Sequence, residues 1–546
     1  MKEKNQNKVA YFCMEYGLNE DLPLYAGGLG VLAGDYLKAA KKINAPIVGI
    51  GIRWWQDYTH QYINQEGYPY DVFPIQELDF LKDTGTTVEI NIENNIVEAQ
   101  IYKVDEFDNA PLYLLDTGHP ESEYGWITDR LYSGDSRERI AQEILLGIGG
   151  VKALRALDIE IDKYHFNEGH AAFGGIKLIN EKRKNLNLSF QEAIGETREE
   201  IVFTTHTPVP AGNEKHNIDQ LAQMGLSEYL SREELITIGG NPFDMTAACL
   251  KMSSIANGVS KLHQNTAQNM WKDLNDSAPI ISITNGVNVE TWQDPKIKEA
   301  YENNQDLWEV HLKLKKELVN YIRQHTRANM NPENLIIGFA RRAAPYKRGE
   351  LIFRDTSHIE KYLKNGKLQL VFSGKAHPED KYGKNIVANL VKMDQKYEDS
   401  VVFLENYNME IARYLTRGCD VWLNNPKRPL EASGTSGMKV AMNGGLNLSV
   451  LDGWVAEGVE HDVHGWIFDE VFPELDENLG EDKKDLLALY KLINEKVIPT
   501  YYDDKEKWTN MMRASIEMSH YNFSAERMLK EYYEKMYLPK KESVLT

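Results

Sequence analysis

The segment Glu431-Ala432-Ser433-Gly434-Thr435-Ser436-Gly437-Met438-Lys439 gathers small and hydroxyl-bearing residues ahead of a lysine. Small side chains let a bulky ligand approach the backbone. Thr435 and the N–H groups of Ser436 and Gly437 suit a phosphate, and a desolvated Lys439 could form a Schiff base. A lone lysine is ordinarily a surface residue, so the setting raises covalent chemistry without establishing it. A second cluster, Arg341-Arg342-Ala343-Ala344-Pro345-Tyr346-Lys347-Arg348, packs four cations into eight residues. Arginine offers a planar fork and lysine a point charge, which together make a phosphate site; the plain alternative is a solvated basic turn. In a third, Ala26-Gly27-Gly28-Leu29-Gly30, the glycines free backbone N–H groups for an anion, or simply make a tight turn.

Histidines form two further candidates. His165-Phe166-Asn167-Glu168-Gly169-His170 invites a zinc reading, but the spacing is not H-E-x-x-H and Gly169 disfavours a regular helix, so no metal is expected. His206, in Thr204-Thr205-His206-Thr207-Pro208, is as readily a hydrogen-bonded structural histidine as a catalytic one. No nucleophile elbow, Walker loop or dinucleotide fingerprint is convincing.

These motifs need elements to hold them. Short apolar runs read as buried strands at Val9–Met14, Pro46–Ile52, Tyr164–Asn167, Ile201–Thr205 and Pro279–Thr284, and again at Leu335–Ala340, Leu368–Ser373, Val401–Leu404, Val421–Asn424 and Leu446–Leu451. They do not alternate, as expected for strands covered on both faces. Helical patterns lie between many of them; Arg139–Leu157 repeats apolar residues at Ile140, Ile144, Leu145, Ile148 and Val151, and Leu307–Arg327 is amphipathic. Strand–helix alternation predicts an α/β chain with parallel sheets. Thr87–Val104 alternates around Glu93-Asn94-Asn95 and predicts an antiparallel hairpin. A boundary between about Asn285 and Asp306 gives two α/β halves, residues 1–285 and 286–520, and Ser524 is placed to cap a final helix, Ala525–Met536, in residues 521–546.

Composition sets the outer limits. A chain of 546 residues exceeds one compact core. The net charge of −20 repels nucleic acid and anionic membranes, so neither is an expected partner and a local basic loop becomes informative. Cys13, Cys249 and Cys419 are too few and too scattered for a disulfide framework. The basic N-terminus is followed by an apolar stretch broken at Glu15, unlike a signal peptide, and no run approaches the roughly 20 apolar residues of a membrane span. A reducing cytoplasm is the expected compartment.

With its continuation Asn443-Gly444-Gly445-Leu446 and Leu451-Asp452-Gly453, the Glu431–Lys439 segment resembles the α-glucan phosphorylases, the glycogen and maltodextrin phosphorylases. The likeness extends in the family's order over Tyr11–Glu15, Gly27–Gly30, Asn167–His170, Thr205–Pro208, Thr284–Gly286, Arg341–Arg348, Phe372–Lys375 and Leu404–Tyr407. It implies a GT-B fold of two Rossmann-like domains facing a cleft, with the final helix crossing back to the first domain. It also implies phosphorolysis: inorganic phosphate releases the terminal unit of an α-1,4-glucan as glucose 1-phosphate with retained configuration. By the same likeness Lys439 carries pyridoxal 5′-phosphate, whose phosphate group relays a proton. Arg341 and Thr435, with the backbone of Ser436 and Gly437, would hold the coenzyme phosphate. Arg342 and Lys347 would hold the reacting phosphate, with Gly28 and Leu29 closing on it. Asn285, Glu431, Ala432, Ser433 and Gly434 would meet the glucose. The His206 carbonyl would face the developing positive charge, and His170 belongs to the sugar-side loop.

Departures are visible too. The chain is shorter than the large animal and plant phosphorylases and begins close to the first motif, so their N-terminal phosphorylation and effector regions have no expected counterpart. Some dimer contacts of the family lie in those regions, which leaves a homodimer open. Ala343-Ala344-Pro345 replaces bulkier polar residues. Two alternatives compete with phosphorolysis: a nucleotide-sugar glucosyltransferase of the glycogen synthase type, which does not need Lys439, and an inactive glucan-binding protein, which has no reason to keep Arg342, Lys347 and Lys439.

Overall fold

The computed structural model describes residues 6–471 and 479–537. Their contacts define two units. One comprises the described residues up to Tyr58, Phe73–Thr284 and those from Ala525 onward; the other comprises Thr59–Val72 and those from Asn285 to Ser524.

The first unit is built on a nine-stranded sheet. Across it run Ile280–Ser282, Ile255–Gly258, Ile201–Thr204, Lys163–Asn167, Val9–Phe12, Ile47–Ile52 and Leu112–Asp116, all parallel. Asn95–Val104 and then Lys82–Ile92 extend it antiparallel. Val9–Phe12 and Ile201–Thr204 are buried at every residue, which explains their unbroken apolar sequence. The hairpin turns at Glu93 and Asn94, both at positive φ (55° and 64°), the backbone of a two-residue turn matched to strand twist. The helix read from Arg139–Leu157 runs as Ser136–Ile144, a π-turn at Leu145–Gly149 and Gly150–Ala156, with Ile140, Ile144, Leu145, Ile148 and Val151 all buried. The closing helix, Ala525–Tyr532, continues as a π-turn to Tyr537. Its tyrosines enter a buried polar network: Tyr537 shares hydrogen bonds with Tyr36 at 2.6 Å and with His165 Nδ1, and Tyr532 meets Thr204 and Asn257 at 3.2 Å.

The second unit carries a six-stranded parallel sheet, in the order Val401–Leu404, Leu368–Ser373, Leu335–Ala340, Val421–Asn424, Leu446–Ser449, Gly465–Ile467. The α/β class with large parallel sheets is therefore as expected. A short hairpin, His60–Ile63 with Pro69–Val72, is fastened to this unit: Lys375 Nζ donates to the Thr59 carbonyl (2.6 Å), Gln61 accepts from Ala376 N–H (2.9 Å), and Lys384 pairs with Asp71. Those ties take Thr59–Val72 out of the half in which the sequence reading had placed them. Ile255–Gly258 went unread as a strand because Asn257 and Gly258 are poor strand formers; Asn257 is there to accept from Thr204 Oγ1 at 2.6 Å.

Candidate active site

In the six-stranded sheet the chain fills strands outward on both sides of one gap; in the nine-stranded sheet it does so on one side, and on the other it passes from Ile47–Ile52 to the edge strand Lys82–Ile92 and fills back inward. In the second unit that gap lies between Leu335–Ala340 and Val421–Asn424, and open α/β sheets bind ligands beyond the carboxyl ends of such a pair. Arg341–Arg348 leaves the first of these strands, and Glu431–Gly437 follows the second. The Glu431 side chain is 8% exposed and meets two cations through Oε2: Arg341 at 3.1 Å, and Lys347. Burial pushes its carboxyl up, but Lys347 and Arg341 outweigh that and hold it below the usual range. A pocket opens beside them, lined by Arg341, Arg342, Ala344, Lys347, Ser373 and Gly374.

The neighbouring strand ends shape this loop. Arg341 N–H donates to the Ser373 carbonyl (3.2 Å) and Ala343 N–H to that of Lys375 (2.9 Å). Gly374 has φ +153°, and a Cβ there would stand 2.2 Å from the Arg341 carbonyl oxygen. Gly374→Ala is therefore expected to displace the cationic loop, lowering kcat/KM about tenfold or more. Unchanged kinetics would show that the loop tolerates the shift. Arg348 is different from its neighbours: it bonds the carbonyls of Asn425 (2.7 Å) and Pro426 (2.9 Å) and pairs with Asp482 and Asp485. It holds the loop down and is not offered to a ligand.

Lys439 lies in the helix Ser436–Ala441, is 7% exposed, and has its Nζ 3.5 Å from the centroid of the Trp292 ring. An aromatic face attracts the ammonium while burial strips its water. In the same unit Ser433 Oγ, Trp454 Nε1 and Arg341 Nε are buried without a hydrogen-bond partner among the described residues. Buried donors without partners are costly unless a ligand completes them. Trp422 Nε1 donates to Ser436 Oγ (3.0 Å), and Gly434 takes φ +83° to turn the chain after Ser433. Glu431, Ser433 and Asn285 are buried, Ala432, Gly434, Thr435 and Ser436 are partly buried, and Arg342 is exposed. A lysine in an aromatic, desolvated setting, in a unit that also keeps unsatisfied buried donors, fits a carbonyl coenzyme bearing a phosphate.

In the first unit the corresponding gap lies between Val9–Phe12 and Lys163–Asn167. Beyond it Glu15 organises the glycine loop. Its Oε2 accepts from Ala26 N–H (2.7 Å) and Gly27 N–H (3.1 Å), and its Oε1 from Tyr132 OH (2.8 Å). Gly28, at the start of the helix Gly28–Lys42, is exposed, with open space where a Cβ would be; Leu29 is half-buried. Glu168 adopts φ +75° and accepts from the backbone N–H of His206 and from Thr207 OH (3.1 Å), while His206 Nε2 meets Asn167 Oδ1 at 2.7 Å. The peptide and the ring of His206 are thus both fixed. His170 lies 5.9 Å, ring to ring, from Tyr132.

The zinc reading of His165–His170 finds no support in the contacts of His165, whose two ring nitrogens bond Tyr537 and Thr204. One group of possible ligands does occur among the described residues, at Glu143, Glu214 and His216. Arg139 already supplies its positive charge, bonding Glu214 at 2.9 and 3.0 Å, and burial followed by repulsion from Glu214 pushes Glu143 up to about 8. This network and the roles of Glu15 and Glu168 carried no spacing signal in the sequence.

Burial lowers His165, His170 and His206 to about 3 and His263 to about 4. They are neutral at working pH. An unfolded imidazole titrates near ~6.5, so the unfolded chain binds these protons first. Their stabilisation is complete above about pH 6.5 and is lost as the pH falls toward the folded values. His165→Gln removes one such group. The gap between its Tm and that of the parent is expected to narrow from pH 7.5 to pH 5, since below about pH 6.5 the parent loses about 1.4 kcal/mol per pH unit through His165. A gap that widens would contradict the neutral assignment.

The family model for carbohydrate phosphorylases matches residues 293–469, the stretch that includes Arg341–Arg348 and Lys439. Maltodextrin phosphorylase of Thermococcus litoralis is 38% identical to the chain, covering 98% of it and 71% of the relative. The chain belongs to the carbohydrate phosphorylase family. Glycogen phosphorylase of Mycobacterium tuberculosis is 35% identical with the same coverage. An uncharacterised protein of Methanocaldococcus jannaschii is also 35% identical and aligns over 97% of this chain and 99% of its own length. The two sheets, one parallel throughout and one parallel apart from its antiparallel edge hairpin, agree with the family's GT-B type of fold. No helix among the described residues is long and apolar enough to cross a membrane.

Proposed function

We propose that this phosphorylase cleaves α-1,4-glucans with inorganic phosphate to give α-D-glucose 1-phosphate, using pyridoxal 5′-phosphate on Lys439. The observation that carries the reading is the second unit's cluster: a desolvated lysine, unsatisfied buried donors, and two cations gathered on Glu431. Bound there, the coenzyme supplies a phosphate group whose second pKa near ~6 lets it exchange a proton at neutral pH. Arg341, Thr435 and the N–H groups of Ser436 and Gly437 hold that group.

The chain's own residues do the rest. Two phosphates in one site repel, and in a chain of net charge −20 the compensation must be local. Arg342 and Lys347 supply it for the attacking phosphate. Lys347 is held on Glu431 until an anion arrives, so the cation is placed before the substrate binds. Glu431, Ser433, Gly434 and Asn285 hydrogen-bond the glucosyl unit. Cleavage builds positive charge at its anomeric carbon, and the family resemblance assigns to that charge the carbonyl of His206, whose peptide is fixed within the first unit by the Glu168 bond to the His206 N–H. The same resemblance assigns the backbone N–H groups of Gly28 and Leu29 to the anion and the neutral ring of His170 to the sugar.

Incubation with maltodextrin and phosphate, beside incubation with UDP- or ADP-glucose and an acceptor glucan, tests the reading. Release of glucose 1-phosphate in the first arm is expected. Chain growth in the second arm alone would replace it with a nucleotide-sugar transferase.

A further inference from the structure

We propose that Asp452 is a positioning residue for the Glu431–Gly434 loop, setting where Glu431 and Ser433 meet the glucosyl unit; the inference rests on the phosphorolytic reading above. Asp452 is 1% exposed and touches that loop from beneath. Its Oδ2 accepts the N–H of Glu431 at 3.0 Å, and its Oδ1 accepts the N–H of Gly453 at 2.8 Å. The next residue adds a second tie, Trp454 N–H to the Ser433 carbonyl at 3.0 Å. Gly453 sits between them at φ +55°, where a Cβ would stand 2.3 Å from the Ser433 carbonyl oxygen. The turn Asp452-Gly453-Trp454 is therefore moulded to the loop at both Glu431 and Ser433.

Both carboxylate oxygens are used as acceptors, which is what makes the residue type specific. Asparagine has the same shape but one acceptor oxygen, and its amide would point N–H at N–H at the other. The carboxyl is pushed up to about 6 by burial, with the two N–H bonds lowering it, Glu431 raising it and Arg428 lowering it. On the phosphorolytic reading Glu431 serves first its cations and then its sugar from one main-chain position, so displacement of that main chain by a fraction of an ångström is felt in the reaction.

Asp452→Asn and Gly453→Ala disturb the loop from two sides and are assayed in maltodextrin phosphorolysis well below the Tm of each. Both are expected to lower kcat about tenfold or more and to raise KM for maltodextrin, while KM for phosphate changes by less than about threefold. Coenzyme absorbance is expected to be unchanged. Wild-type kcat and KM in Asp452→Asn would overturn the proposal. So would a uniform loss of phosphate affinity, coenzyme and Tm, which would mark a merely structural residue. Wild-type protein that releases no glucose 1-phosphate would instead defeat the phosphorylase reading. A crystal structure of Asp452→Asn reads the loop without an assay: a displaced Glu431 main chain is expected, and an unmoved one overturns the proposal whatever the reaction proves to be.

Discussion

Lys439→Ala is expected to abolish phosphate-dependent release of glucose 1-phosphate, a loss of at least about three orders of magnitude, and to yield protein without absorbance beyond its aromatic residues. Lys439→Arg should be equally inactive, because it keeps the charge but cannot condense with a carbonyl. The basis is the surroundings of the amine. With Nζ 3.5 Å from the Trp292 centroid and the side chain almost fully buried, the lysine is not a surface cation whose removal would go unnoticed. Nor does the fold depend on it: the helix carrying it is fixed by main-chain contacts, among them Asn443 Nδ2 to the Lys439 carbonyl at 2.8 Å and Ser519 Oγ to the Met438 carbonyl at 2.7 Å. Both variants should therefore fold. Full turnover by a colourless Lys439→Ala protein would refute the assigned role.

Glu431→Gln tests the charge balance. Glu431 now compensates Lys347 and Arg341 inside the protein. Taking one partner from a buried ion pair costs about 3–5 kcal/mol, mostly by leaving the other charge uncompensated. The variant should lose stability in phosphate-free buffer and recover it when phosphate is added, because the anion takes the place of the carboxylate. On the proposed reading the sugar exchanges a charged acceptor for a neutral one at the same time, so kcat/KM should fall about 10²- to 10³-fold. Thermal unfolding with and without phosphate checks the first half. If phosphate raises the Tm of the variant no more than that of the parent, Lys347 is not the anion's partner.

What was legible in the sequence follows from range. Leu335–Ala340 and Val421–Asn424 show as strands because burial on both faces leaves an unbroken apolar run, and the loops after them show because cations and glycines are scarce in such places. Glu93-Asn94 announces its turn for an equally local reason. The failures involve partners far apart in the chain. Arg348 reads as a fourth phosphate cation until Asp482 and Asp485, more than 130 residues away, are seen to claim it. Glu15 and Asp452 both stood inside recognisable motifs, yet nothing in the spacing says that one holds the glycine loop and the other the Glu431 loop. The hairpin at residues 60–72 is too short and too polar to show its side, which is decided by single bonds to Lys375, Ala376 and Lys384.

The most direct test of the central claim is peptide mapping of purified, active protein after borohydride reduction. A pyridoxyl group on the peptide containing Lys439 is the expected result. Protein that turns over maltodextrin and phosphate while Lys439 is recovered unmodified, or with the label on another lysine, would contradict it.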